Sequence, residues 1–286
     1  NEIDPSIRII KNVELYKLIN DCEVLITFNN STTTLDAISM NKPVISLQTD
    51  SYAGEPIQDN LFLGKRSERF LENLLQQCSR YEVVASNLQI KDGKNTIGEL
   101  DFIVKDIKTN TLIHLEQVCK FYLYDSTFNT EPEQWIGPNR KDSFRQKLDK
   151  LKAHQLPLIH QPETQQALKA YNINAADCVQ QVCFMAHCFV PFSLNNKTRF
   201  TINSKSVSGS YMSLKTFKDF YSEAYAFAIP KKTDWCVSPE HHKEWLSKAV
   251  AILTIETHLK ENRAPLIWVK HKDTFSRVFV VWWPNA

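Results

Sequence analysis

In "GELDFIVKDIKTNTLIHLEQVCKFY", residues 98–122, Asp101 interrupts one apolar run, and Glu116 and Lys120 interrupt the next. Both runs read as strands, and a strand puts alternate residues on one face. Glu99 and Asp101 therefore share a side, as do His114, Glu116, Val118 and Lys120. A charge buried without a partner is costly, so these groups should converge on one another or on a metal. Carboxylates beside a lysine are what Mg²⁺-assisted phosphodiester cleavage requires. The carboxylates hold a hard cation through oxygen. The cation polarises the phosphate and lowers the pKa of a bound water. The lysine orients that water or offsets the charge that gathers at phosphorus.

The elements that must position these groups lie on either side. Upstream, "KRSERFLENLLQQC" places Phe70, Leu71, Leu74 and Leu75 on one side of a helix, with Glu68 and Glu72 a turn apart. "YEVVASNLQIK" reads as a strand kinked near Ser86, and "DGKNTIG" carries the Asp-Gly signal of a hairpin. "ELDFIV" is the return strand, "KDIKTNT" a second turn, and "LIHLEQVCKFYL" a third strand. Downstream, "WIGPNRKDSFRQKLDKLKAHQLPL" turns at residues 137–139 and continues as a helix crowded with Arg140, Lys141, Arg145, Lys147, Lys150 and Lys152. Only Asp142 and Asp149 relieve that charge. A basic helix next to a metal-type site would hold a phosphate backbone, although a solvated helix face has the same composition.

Residues 1–50 have a different texture. "IRII", "EVLITF" and "KPVISL" are short apolar strands that alternate with the helical patterns "NVELYKLINDC" and "NNSTTTLDAISM". This is a βαβαβ run, and its strands are as apolar as parallel strands covered on both faces. Ser31, Thr32 and Thr33 stand where a strand gives way to a helix. There they serve either as N-caps or as contacts to a phosphate held by free backbone N–H groups.

The rest of the chain carries fewer signals. Cys178, Cys183, His187 and Cys188 fall in the apolar stretch "CVQQVCFMAHCFVPF" without the paired spacing of a zinc knuckle, and they read as core. His241 and His242 sit at an expected helix start on the surface. "APLIWVK" and "RVFVVWWP" read as an antiparallel pair of strands.

Composition narrows the classes. The chain has 286 residues, enough for a large core without staples, and a net charge of only +2. No global field draws it to nucleic acid or a membrane, so any electrostatic preference must be local. Seven cysteines without a CxxC pair fit reduced thiols and a cytoplasmic location. No apolar stretch approaches the roughly 20 residues of a membrane span, so no membrane partner is expected. The first residue is Asn rather than Met, as in a fragment or processed piece.

Two resemblances add to this. "DCEVLITFNNSTTTLDAISMNKPVI" resembles the carboxy-terminal half-domain of nucleotide-sugar glycosyltransferases, which implies phosphate contacts from Ser31, Thr32 and Thr33 to a sugar nucleotide. Further on, helix with Glu, strand with Asp and strand ending in Lys resembles the PD-(D/E)XK nuclease superfamily. More closely, "LGKRSERFLENLL", "NLQIKDGKNTIGELDFIV", "HLEQVCKFYL", "WIGPNRKDSFRQKLDKLKAHQLPL" and "RVFVVWWP" resemble a bacterial domain-of-unknown-function family, number 1853.

The superfamily resemblance implies a restriction-endonuclease-like mixed sheet with flanking helices, of α/β class, preceded by the partial parallel unit. Together with the change of texture near residue 54, it divides the chain into residues 1–53 and 54–286. It makes Glu68 the helix acid, Asp101 the central metal ligand and Lys120 the catalytic lysine. The superfamily places an acid two residues before the lysine, and Val118 stands there. Glu116, four residues before, lies roughly 13 Å along the strand where roughly 7 Å is usual. Either Glu99 or Glu68 then completes the metal site, or the site is impaired. The expected activity is a Mg²⁺- or Mn²⁺-dependent nuclease whose partner is nucleic acid, with DNA as the first substrate to try. The alternatives are a degenerate nuclease fold that binds nucleic acid or protein, and a sugar-nucleotide-binding protein.

Overall fold

The structure, a computed structural model, describes residues 61–194, 200, 202 and 206–283, together with the backbone of residues 25–28 and 44–47. Strands β1 (Leu25–Phe28) and β2 (Val44–Leu47) pair in parallel, as two apolar strands of a parallel unit should. Ser31, Thr32 and Thr33 lie outside the described residues.

Helix α1 (Leu63–Gln77) buries Leu71 and Leu75, which sit one turn apart on its apolar face. Strand β3 (Tyr81–Asp92) turns through Gly93 into β4 (Asn95–Asp106). Gly93 has a φ of +57°, the left-handed region that a two-residue hairpin requires. The kink expected in β3 is real: its register shifts between Val83 and Ala85, and Asn87 has a φ of +53°. Asp106 ends β4 by accepting from the N–H of Lys108 at 3.0 Å and pairing with Arg80, which tightens the turn into β5 (Thr111–Tyr124).

After β5 come a single helical turn, α2 (Glu131–Gln134), the two-residue strand β6 (Trp135–Ile136) and helix α3 (Phe144–Lys150). Ser143 caps α3 in a capping box with Gln146. The expected basic helix is therefore shorter than its charge pattern suggested, and Arg140 and Lys141 precede it. Arg140 has a φ of +54°, which a helix interior does not admit, and it pairs with Asp125 at 2.7 Å. The chain runs on through a π turn (Leu151–Gln155) and a 3₁₀ turn (Leu156–His160) into α4 (Pro162–Leu168), then strand β7 (Cys178–Pro191).

The remaining elements are β8 (Val207–Ser213), α5 (Leu214–Phe220), β9 (Ala226–Ala228), α6 (Lys248–Lys260), β10 (Leu266–His271) and β11 (Thr274–Val281). His241 and His242 stand at a short 3₁₀ turn rather than a helix start, because the helix begins only after Ser247.

One nine-stranded mixed sheet joins these pieces in the order β3-β4-β5-β7-β8-β11-β10-β9, with β6 added against β5. β5, β7, β8 and β11 run parallel, and the outer pairs are antiparallel. The fold is α/β with helices flanking a mixed sheet. Central strand β5 divides the layers by alternation. Ile113 and Leu115 pack with Leu71 and Leu75 of α1. Val118 and Tyr122 pack with Phe144 and Leu148 of α3. Helices α5 and α6 cover the far half of the sheet through Phe217, Ala251 and Ile255.

Candidate active site

The β4–β5 ladder ends at the pair Phe102–Leu115. Just beyond, Asp101 uses its side chain where the backbone pairing stops, and its Oδ2 accepts the Gln117 N–H at 2.8 Å. The opening between the strands is where the acids gather. Carboxylate oxygens of Glu68 on α1 and of Glu99 and Asp101 on β4 all lie within 4.8 Å of one another. Lys65, three residues before Glu68, bridges Glu68 at 2.8 Å and also pairs with Glu99. Its ammonium donates to Asn87 Oδ1 as well, at 2.6 Å. The left-handed Asn87 of the kinked strand thus serves this cluster.

Asp101 is the most perturbed of these acids. Burial pushes its pKa up to about 7, the charge of Glu116 adds to the rise, and the Gln117 N–H opposes it. Glu68 is raised for the same first reason, burial, with Lys65 acting against it. Lys65 loses solvation, yet Glu68 and Glu99 outweigh that loss and raise it. One ammonium facing several partly desolvated carboxylates leaves an excess of negative charge.

Glu116 is wholly buried and held at both oxygens. Its Oε1 meets His114 Nε2 at 3.0 Å, and its Oε2 accepts from Gln155 Nε2 at 2.8 Å. Gln180 donates its amide N–H to His114 Nδ1, which places the ring proton on Nε2, where it is donated to Glu116. Lys147 Nζ donates to Gln155 Oε1 at 2.6 Å and completes a chain from α3 to the strand acid. Burial lowers the pKa of Lys147, and its neighbour Lys150 lowers it further. Lys147 thus reaches inward from the basic segment, whereas Arg145, Lys150 and Lys152 are exposed.

Lys120 meets a partner that its spacing did not disclose. Its Nζ donates to Asp142 Oδ2 at 2.7 Å, and both side chains are more than a third exposed. Asp142 reaches this position because residue 137 is glycine; a Cβ there would collide with the Asp142 carboxylate. Val118, at the superfamily's acid position, is buried against α3.

The sequence pointed to Glu68, Glu99, Asp101, Glu116 and Lys120. The structure brings the first three together and sets Glu116 beside Asp101, while Lys120 stands one alternate position beyond Val118 and is turned to Asp142. Lys65 and Gln155 escaped notice, whereas the sequence placed His114 on the face of Glu116 and Asp142 in the basic segment without disclosing that they pair with Glu116 and Lys120. Lys65, at helical spacing from Glu68, did leave a signal.

An α/β sheet protein with three carboxylates gathered where β4 parts from β5 is the class this geometry defines. The family model described as domain of unknown function (DUF1853) matches residues 18–281, and the chain belongs to that family. The match runs across the junction expected near residue 54. No curated protein and no solved structure matches the chain. No helix among the described residues is long and apolar enough to cross a membrane.

Proposed function

We propose that the chain is a Mg²⁺- or Mn²⁺-dependent phosphodiester hydrolase acting on nucleic acid, with a site of the PD-(D/E)XK type. The observation that carries this reading is the convergence of Glu68, Glu99 and Asp101 within 4.8 Å, at the point where β4 leaves β5. The donor set fits a hard divalent cation, because it consists of carboxylate oxygens from rigid elements and carries more charge than Lys65 offsets. Glu99 supplies the second acid that the usual position, occupied by Val118, lacks.

A bound cation would supply positive charge to a phosphate and acidify a water. The chain's own groups do the rest. Glu68, Glu99 and Asp101 would hold the cation, in place of the Lys65 ammonium that pairs with Glu68 and Glu99. Lys120 leaves the exposed Asp142 and turns to a phosphate oxygen, an exchange that costs little because a surface ion pair contributes about 0–1 kcal/mol. Glu116, fixed by His114 and Gln155, keeps the negative field that favours the cation. Arg145, Lys150 and Lys152 lie on the solvent side, where a nucleic-acid backbone would pass.

A second reading rests on Lys65, whose ammonium already sits among the acids. In that reading the fold binds nucleic acid or a protein without cutting. Incubation with single-stranded, duplex and branched DNA and with RNA separates the two. The nuclease reading expects cleavage that needs Mg²⁺ or Mn²⁺ and vanishes in Asp101→Asn and Lys120→Ala, with circular dichroism unchanged. No cleavage of any substrate, together with calorimetric Mg²⁺ binding that is the same in the wild type and Asp101→Asn, establishes the second reading.

A further inference from the structure

The opposite face of β5 carries a second cluster of metal-ligating groups. Cys119 Sγ lies 3.2 Å from Cys236 Sγ, 117 residues further along the chain. Cys236 Sγ lies 3.9 Å from His187 Nε2. The ligand atoms of Cys119, His187 and Cys236 all fall within 4.8 Å of one another. In the parallel register of β5 on β7, Cys119 faces Met185 and Phe121 faces His187, so Cys119 and His187 stand on one side of the sheet, two steps apart.

We propose that Cys119, His187 and Cys236 bind a soft divalent transition-metal cation, Zn²⁺ being the best fit, independently of the acidic cluster. The chemistry of the donors separates the two sites, since thiolate and imidazole select zinc-like cations and carboxylates select Mg²⁺-like ones. Three protein ligands leave a fourth position to water or another donor.

The surroundings are built as a metal site requires. His187 Nδ1 faces Ser208 Oγ at 3.3 Å, which fixes the ring and leaves Nε2 for the cation. The ring also stacks on Phe121 with centroids 4.5 Å apart. The loop that carries Cys236 is tied down on both sides: Arg66 of α1 pairs with Asp234 at 3.1 Å, and Arg277 donates to the Val237 carbonyl at 2.9 Å.

Distances favour a shared cation over a disulfide. With Zn–S about 2.3 Å and Zn–N about 2.0–2.1 Å, tetrahedral geometry separates two sulfurs by roughly 3.8 Å and a sulfur and nitrogen by roughly 3.6 Å. The observed sulfur–sulfur distance of 3.2 Å is about 0.6 Å shorter than the first value, and the sulfur–nitrogen distance of 3.9 Å about 0.3 Å longer than the second, so small side-chain shifts admit the cation. A covalent S–S bond of about 2.05 Å would need the sulfurs to close by more than roughly 1 Å. Binding forms two metal–sulfur bonds and one metal–nitrogen bond, and the thiol protons pass to solvent. Cys119 precedes Lys120 on β5, so a cation here would brace the strand that carries the candidate catalytic lysine.

The test uses the reduced 286-residue chain titrated with Co²⁺ as a spectroscopic substitute for Zn²⁺. The expected result is a thiolate-to-cobalt charge-transfer band that saturates at one equivalent and is displaced by Zn²⁺. The band should disappear in Cys119→Ser and Cys236→Ser and persist in Cys178→Ser and Asp101→Asn. Ser208→Ala should weaken binding by about 10–100-fold while leaving the band shape intact. Absence of the band in folded wild type, or its survival in Cys236→Ser, overturns the proposal. A Cys119–Cys236 disulfide peptide after mild oxidation, in a protein that takes up no Co²⁺ when reduced, also overturns it and assigns the pair to redox chemistry.

Discussion

The two halves of the sheet are built on opposite economies of charge. Every buried polar or charged residue among the described residues falls between Ser67 and Gln181, in the half made by α1, β3, β4, β5, α4 and β7. The half made by β8, β9, β10 and β11 buries apolar side chains such as Phe227, Ile255, Val280 and Phe279. Burying a charge carries a desolvation cost that its partners seldom repay in full. The first half therefore bears a cost that the second avoids, as the proposed site would require.

That contrast can be broken at several points. The largest stability effect belongs to the apolar half. Phe279 is fully buried and meets Phe189 and Trp235 with ring centroids 4.7 and 5.0 Å away. Phe279→Ala should lose about 3–5 kcal/mol in urea unfolding. Cleavage per folded molecule in the cold should be unchanged. A variant that stays fully stable would show that this half is not the scaffold.

In the polar half, Asp101→Asn should do the reverse. Metal-dependent cleavage should fall by at least about a hundredfold, the size of a lost charge-stabilising contact. The melting temperature at pH 8 should rise, because a poorly solvated carboxylate has been removed.

The same residue sets the pH dependence. Its folded pKa of about 7 lies above the ordinary 3.8, so the folded state binds the extra proton between those values. Stability of the metal-free protein should therefore fall as pH rises from about 4 to about 7. Asp101→Asn should flatten that slope in a series of thermal melts, and Mg²⁺ added at pH 7–8 should restore stability to the wild type alone.

Glu116→Gln should reduce cleavage less than Asp101→Asn, because His114 and Gln155 already occupy both of its oxygens. Equal damage in steady-state kinetics would mean that Glu116 turns to hold the cation directly. The smallest effect is expected at the exposed Arg145–Asp149 pair, 3.1 Å apart on α3. Arg145→Ala should shift stability by no more than about 0.5 kcal/mol. A marked loss of substrate binding in that variant, seen as a lower salt dependence, would place the nucleic acid across this helix.

Local chemistry made much of this legible in the sequence. Leu71 and Leu75 mark the buried face of α1 because helical spacing forces them onto one side. Asp92 and Gly93 mark the first hairpin because few other pairs take that turn. Asp101 and Glu116 stand out because each interrupts an apolar run, and a strand's two-residue period makes such an interruption visible. The charge run from Arg140 to Lys152 misled on helix length, since charge does not report φ and Arg140 sits in a left-handed conformation.

What the sequence determined by itself was helix α1, the strands β1 to β5 and the closing pair β10 and β11, the residues that break their apolar pattern, and the family to which the chain belongs. Tertiary structure alone decided the distant partners: Glu99 for Lys65, Asp142 for Lys120, Gln155 for Glu116, and Cys236 for Cys119. These contacts join residues up to 117 positions apart. They depend on which strand lies beside which, and on where β4 parts from β5. No local period encodes that, because a hydrogen bond or a ligand atom is placed by the packing of whole elements rather than by spacing along one of them.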